Sequence, residues 1–157
     1  MPATVREQIL DALVTHFTGT AVSPYTITWS AVTRSPLAVK DRRKQYALSI
    51  MDEAEEKEAK TRQVHCSLTV AFMFWAMADI ADNPSTVANT VLGEIQKKAR
   101  SALFSTTETP PLEGKAVNIV EVSNDLMVDS EYDRQLMGRL VFLITYRHAL
   151  ADPTLVI

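Results

Sequence analysis

Three histidines, one cysteine and a run of carboxylates are the residues of this chain whose types could support catalysis or hold a metal. His65 and Cys66 are adjacent, so on a strand they point to opposite faces and cannot share an ion. His16 and His148 fall in other segments, and no pair of these groups has metal-ligand spacing. Cys66 reads as a small buried hydrophobe; a Cys/His nucleophile would need His16 or His148 brought against a buried thiol. The stretch DEAEEKEAK, residues 52–60, holds Asp52, Glu53, Glu55, Glu56 and Glu58, enough carboxylates for a metal or an acid/base pair. It lacks the glycine punctuation of a calcium loop, and Lys57 and Lys60 interleave. The four glycines, at 19, 93, 114 and 138, are isolated, which gives no phosphate-cradling loop. These residues point to no catalytic site, no cofactor and no metal, and to surface charge at 52–60 that serves solvation or docking.

The element that must position these groups is the stretch from Thr61 to Ala78. Val64, Cys66, Leu68, Val70, Phe72 and Phe74 point one way; His65, Ser67, Thr69, Ala71 and Met73 point the other. That alternation predicts a half-buried strand, well past the usual ~5–6 residues. Tyr46 to Met51 alternates too, and two strands joined so closely predict an antiparallel hairpin. Its tip, around 52–60, is expected to project, charged, as a mobile segment or a short helix, because its intrinsic propensity is helical. Met73 and Trp75 are apolar on the face opposite the core residues. Two readings stand for them: a second small core under a loop, or a subunit contact, since aromatic anchors are what interfaces use.

The remaining elements come from local signals. Thr4 to Phe17 predicts a helix with Val5, Ile9, Leu13 and Phe17 on one stripe, a Thr4/Glu7 capping box and Gly19 as a stop. Tyr25 to Thr33 predicts a strand with Tyr25, Ile27 and Trp29 on one face. Asn83-Pro84 opens a second helix along Val87, Val91, Ile95, Ala99 and Leu103, with Lys97, Lys98 and Arg100 complementing its C-terminal dipole. Residues 105–114 form a loop around Pro110-Pro111. Val117 to Val122 predicts a strand that Leu126 to Val128 continues after a bulge at Asn124-Asp125. Asp129 to Asp133 turns the chain into a last long strand, Leu136 to His148. Leu140, Phe142, Ile144 and Tyr146 share one face of it, and Arg139, Val141, Leu143, Thr145 and Arg147 the other. Both faces are partly apolar, so each is covered or one meets another chain. Gly93 in a helix and Gly138 in a strand are positions where a close backbone approach is possible. The order α-β-β-β-α-β-β predicts one α+β domain over 1–157: a mainly antiparallel sheet of about five strands with two helices on one face. Candidate contact residues are Glu53, Glu55, Glu56, Glu58, Met73, Trp75, Arg139, Val141 and Leu143.

Composition narrows the class. With 157 residues, 46% of them hydrophobic, the chain can bury a core without metal or disulfide staples. Lys+Arg is 16 against 19 Asp+Glu, for a formal charge of -3. A dedicated nucleic-acid binder would show a basic excess; a protein through which nucleic acid slides would not. The basic run Lys40 to Lys44 reads as solvated surface, with a polyanion patch as the narrower alternative. One cysteine excludes an intrachain disulfide and fits a reducing compartment. Arg6, Glu7 and Asp11 interrupt any secretory apolar core. The longest uncharged apolar run, Val70 to Ala78, falls far short of the ~20 residues of a membrane helix. A soluble protein made in the cytoplasm is expected.

In this order, the chain resembles the tail terminator family of long-tailed bacteriophages, the group that includes the lambda minor tail protein U. The resemblance lies in the opening helix VREQILDALV, a strand leading to Arg34-Ser35-Pro36, and the long strand RQVHCSLTVAFMF. The helix from Asn83-Pro84 and the closing MGRLVFLITYRHALADP extend it over nearly the whole length. It is a likeness of pattern and order. It implies a non-enzymatic virion protein of the tail, assembled in the host cytoplasm. Such proteins form a hexameric ring on the head-proximal end of the tail tube, stop its polymerisation and present a surface to the head connector. DNA would pass through the lumen without specific binding. Another head–tail joining or tail-completion protein is the near alternative. From a different class, a cytoplasmic α+β domain could bind a small apolar ligand between sheet and helix, which would need convergent polar groups in a cavity.

Overall fold

The computed structural model describes residues 1–36, 45–79, 81–128 and 134–157. The basic run 40–44 and the turn 129–133 lie outside them. The elements are α1 (Val5–Phe17), β1 (Ala31–Thr33), β2 (Tyr46–Ala59), β3 (Gln63–Met77), α2 (Pro84–Ser101), β4 (Asn118–Val128) and β5 (Gln135–Ala149). The order α-β-β-β-α-β-β and the α+β class stand as read from the sequence. The five strands form one sheet in the order β1-β2-β3-β5-β4. Only β1 runs parallel to its neighbour, β2; β2/β3, β3/β5 and β5/β4 are antiparallel.

One face of the sheet is the core. Leu48, Ile50, Leu68, Val70, Phe72, Phe74, Leu140, Phe142 and Ile144 join Val5, Ile9, Leu13 and Phe17 of α1 and Val91, Ile95 and Ala99 of α2 in one buried cluster. Helix α1 lies over β1 and β2, and α2 over β4 and β5. At the centre Phe72 meets Phe17 and Phe142, with ring centroids 5.5 and 5.1 Å away. The helices begin where the capping residues place them: Thr4 Oγ1 accepts from Glu7 N at 3.3 Å, and Asn83 Oδ1 accepts from Ser85 N at 3.0 Å. Each satisfies an N–H that the helix leaves without a partner. Leu112, inside the loop 105–114, is fully buried, and its N–H reaches Ala102 O at 2.8 Å, so this loop is pinned to the core.

Three expectations require correction. Tyr25–Ser30 is not strand, although it alternates and buries Ile27 and Trp29. Two of its N–H groups are taken instead by a side chain: Glu94 of α2 accepts from Thr26 N at 2.9 Å and Ile27 N at 3.0 Å, and only Ser30 N reaches β2, at Tyr46 O. Pairing starts only at Ala31. The second correction concerns 52–60, which is neither helix nor an isolated tip. β2 runs through it to Ala59, paired with β3, and the turn is Lys60–Gln63, closed by Lys60 N→Gln63 O at 2.8 Å. Cross-strand pairing outweighs the helical propensity of that stretch. The third is the bulge in β4, which sits between Glu121 and Ser123 rather than at Asn124-Asp125.

Of the two embedded glycines, one marks a close approach. A Cβ on Gly138 would lie 2.3 Å from Cε1 of the fully buried Phe74 ring and 3.0 Å from Leu126 Cδ2; one on Gly93 would meet nothing within 4 Å. Gly138→Ala is therefore expected to lower stability by about 1–2 kcal/mol through overpacking. Gly93→Ala should raise it by about 0.5–1 kcal/mol, because helical glycine loses more backbone entropy. Urea titrations of the two variants would show opposite shifts of midpoint; shifts of the same sign would refute the packing at Gly138.

Candidate functional site

The face of the sheet turned away from the helices collects most of the candidate contact residues. By register, Ala71, Met73 and Trp75 of β3 align there with Val141, Arg139 and Met137 of β5, and Leu143 with Val120 of β4. Trp75 is only 5% exposed: it packs with Ala47, and Ala31, Met73 and Met137 close around it in a second, smaller cluster. Val141 is buried, Met73 and Leu143 are half-buried, and Val120 and Met127 of β4 are exposed. No helix of the described residues covers this face. β4 is also an edge strand, so an apolar sheet face continues to an open margin.

The carboxylates of 52–58 do not act as one cluster. A bulge between Asp52 and Ala54 inserts Glu53 and reverses the parity of the rest of β2. Asp52, Glu55 and Lys57 consequently share the helix side with Val70, Leu68 and Cys66, whereas Glu56 and Glu58 lie opposite Ser67 and His65 on the other face. Glu55 is inward: its side chain is 6% exposed, with Lys57 Nζ at 2.9 Å and Arg6 Nη1 at 3.5 Å. Tyr146 donates its hydroxyl hydrogen to it. Arg6 also pairs with Asp52, and Arg139 pairs across the outer face with Glu53. Glu56 and Glu58 are exposed, the latter 3.5 Å from Lys60.

These contacts set the proton affinities. Burial alone would raise Glu55, but the Lys57 and Tyr146 hydrogen bonds and the Arg6 charge outweigh it and hold its carboxyl below the usual range. Asp52 is likewise held low, burial being outweighed by Arg6. Burial, then Glu55, pushes the Tyr146 phenol far up, and burial raises the Cys66 thiol, which keeps it protonated and unreactive. His65 and Cys66 occupy opposite faces, and among the described residues no group of three or more His, Cys, Asp and Glu could hold a metal.

The structure adds a feature that the sequence pattern does not assemble. The C-terminal ends of α1 and α2 converge on an open cleft of about 960 Å³, walled by the 18–25 and 104–108 segments. His16 Nε2 lies 3.0 Å from both Lys98 O and Ser101 Oγ, and Tyr25 donates its hydroxyl hydrogen to Ser101 Oγ at 3.1 Å. Burial lowers the affinity of His16 for a proton. Lys98 Nζ stands 5.5 Å from the Phe17 ring and 5.1 Å from the Tyr25 ring, and burial lowers its pKa. Lys97 and Arg100 reach the same cleft. In the sequence these three cations read as dipole partners of one helix; no local pattern shows that a second helix ends beside them.

The architecture is that of a two-layer α+β domain with one apolar sheet face left uncovered by helices and charged features at its ends. No family model and no curated protein matches the chain.

Proposed function

We propose that the chain is a structural virion protein, a tail terminator whose copies close head to tail into a hexameric ring on the tail tube. The observation that carries this reading is the outer sheet face. The half-buried Met73 and Leu143, continued by the exposed Val120 and Met127 of β4, form an apolar surface that a monomer would leave partly in water. Exposed contiguous apolar area marks an interaction surface. A ring requires two different patches on each subunit, so that the contact is heterologous and closes. The likeness of element order to the tail terminator family supplies the identity of the ring and its partners, the tube protein below and the head connector above. A formal charge of -3 suits a lumen through which DNA slides, since phosphate is repelled rather than bound.

The test is assembly. In sedimentation analysis the protein should be a monomer that becomes a hexamer at high concentration or on purified tail tubes, and capped tubes should cease to elongate. A protein that stays monomeric and fails to cap tubes would refute the proposal. Tails made without it would show which end is defective, separating a terminator from another head–tail joining protein. The small-ligand alternative called for a cavity between sheet and helix. The cleft found among the described residues lies at the helix ends, and its Lys97, Lys98 and Arg100 suit an anionic surface better than an apolar ligand.

A further inference from the structure

The cleft at the helix ends gathers cations that no acid answers directly. Lys97 Nζ stands 5.9 Å and Lys98 Nζ 5.1 Å from the centre of the same Tyr25 ring, so two ammonium groups meet around one aromatic side chain. The electron-rich ring attracts them without cancelling their charge. Arg100 follows Lys97 by three residues and lies on the same side of α2. None of the three has a carboxylate of the described residues within 4.0 Å. Glu94 and Glu108 act on Lys98 from farther off, and Glu94 is engaged by the N–H groups of Thr26 and Ile27. A helix C-terminus disfavours an anion, but the carbonyls here already accept from the chain's own donors: Lys98 O from His16 Nε2 and Ser101 Oγ, and Arg100 O from Phe104 N. The cations that line the cleft therefore keep N–H donors without a charged acceptor.

The same cleft carries the one exposed aromatic side chain among the described residues, Phe104. Its backbone is fixed by the 3.0 Å bond from Phe104 N to Arg100 O, and the segment that follows is pinned by Leu112 N→Ala102 O. Val22, also exposed, lines the other wall. A preorganised ring in water gains by stacking on a flat partner.

We propose that this cleft binds a nucleoside phosphate, its phosphate on Lys97, Lys98 and Arg100 and its base against Phe104. The two features select that class together. Phosphate offers several charged acceptors to several donors at once, and the base supplies the flat ring. The volume, about 960 Å³, lies within the range of small-ligand sites, ~300–1,000 Å³. The site is contained in one chain, so it goes beyond the hexameric ring and does not depend on it. A free mononucleotide and the end of a nucleic-acid strand present the same groups, and the test separates them.

Calorimetric titration of the single chain with adenosine monophosphate should give a Kd below about 1 mM. Adenosine, without the phosphate, and ribose 5-phosphate, without the base, should each bind about tenfold or more weakly. Arg100→Gln and Phe104→Ala should each weaken the monophosphate about tenfold with melting unchanged, since both side chains are exposed. Amide resonances should shift within 18–25 and 97–108. A single-stranded hexanucleotide that binds more than about tenfold tighter than the monophosphate makes a strand the ligand; equal or weaker binding makes it the free nucleotide. The proposal is overturned if neither the monophosphate nor the hexanucleotide binds at about 1 mM, or if adenosine binds as tightly as the monophosphate. It is equally overturned if both variants bind like the unaltered chain, or if the shifts fall outside the cleft. Failure of the protein to assemble into a ring would leave every one of these measurements standing.

Discussion

Phe72→Asp is expected to leave no folded protein: circular dichroism should show no cooperative melt where the unaltered chain shows one. Phe72 sits in the middle of β3, is fully buried, and its ring touches Phe17 of α1 and Phe142 of β5. It therefore joins both layers and the two central strands at one point. Replacing it with aspartate removes a large aromatic contact, at about 3–5 kcal/mol for the loss of the ring. It also puts a carboxylate among apolar groups, between Ile50 and Leu140 of the neighbouring strands, which adds several kcal/mol or forces protonation. The sum approaches the whole stability of a domain, about 5–15 kcal/mol. Phe72→Leu, which keeps the apolar contact, should still fold with a lowered midpoint. A normal melt for the aspartate variant would mean that α1 does not pack on this face.

The central strands were legible because their patterns are local and redundant. From Val64 to Phe74 each second residue is apolar, and β5 repeats the device at Leu140, Phe142, Ile144 and Tyr146, so a slip by one residue would expose a whole face. The helix starts were legible for the same reason, since Thr4 and Asn83 act on N–H groups two or three residues away. What failed depended on contacts distant in the chain. Tyr25–Ser30 alternates like a strand, but Glu94, far along the sequence, takes two of the N–H groups a neighbouring strand would have used. The stretch DEAEEKEA has helical propensity, and only its pairing with β3 makes it a strand. Its carboxylates read together as one charged tip, whereas the single inserted residue Glu53 turns Glu55 inward and leaves Glu56 and Glu58 outside. The cleft was invisible because it forms where two helix ends meet, and each end by itself shows only ordinary capping.

Glu55→Ala and Glu56→Ala should therefore part company, although the sequence presents them as neighbours in one acidic run. Glu56 is exposed with no ion pair among the described residues, and its removal should change stability by less than about 0.5 kcal/mol. Glu55 is different in kind. Its carboxylate is nearly inaccessible and answers Arg6, Lys57 and the Tyr146 hydroxyl at once. Arg6 and Lys57 reach solvent and can rehydrate in part, but the Tyr146 hydroxyl, in a residue 2% exposed, would lose its acceptor. About 2–3 kcal/mol of destabilisation is expected, less than for a fully buried pair. The pH dependence separates this from simple loss of packing. A carboxyl held below its ordinary pKa contributes its full stabilisation above the ordinary range, near 4.3 for glutamate, and loses it as pH falls through the depressed value. The difference in stability between the unaltered protein and Glu55→Ala should thus be constant at neutral pH and shrink below about pH 4. Urea denaturation at a series of pH values measures it. A difference that persists unchanged into acid would show that Glu55 contributes bulk rather than charge. A variant as stable as the unaltered protein at pH 7 would mean that residues 52–59 do form an exposed tip, with no network joining them to α1.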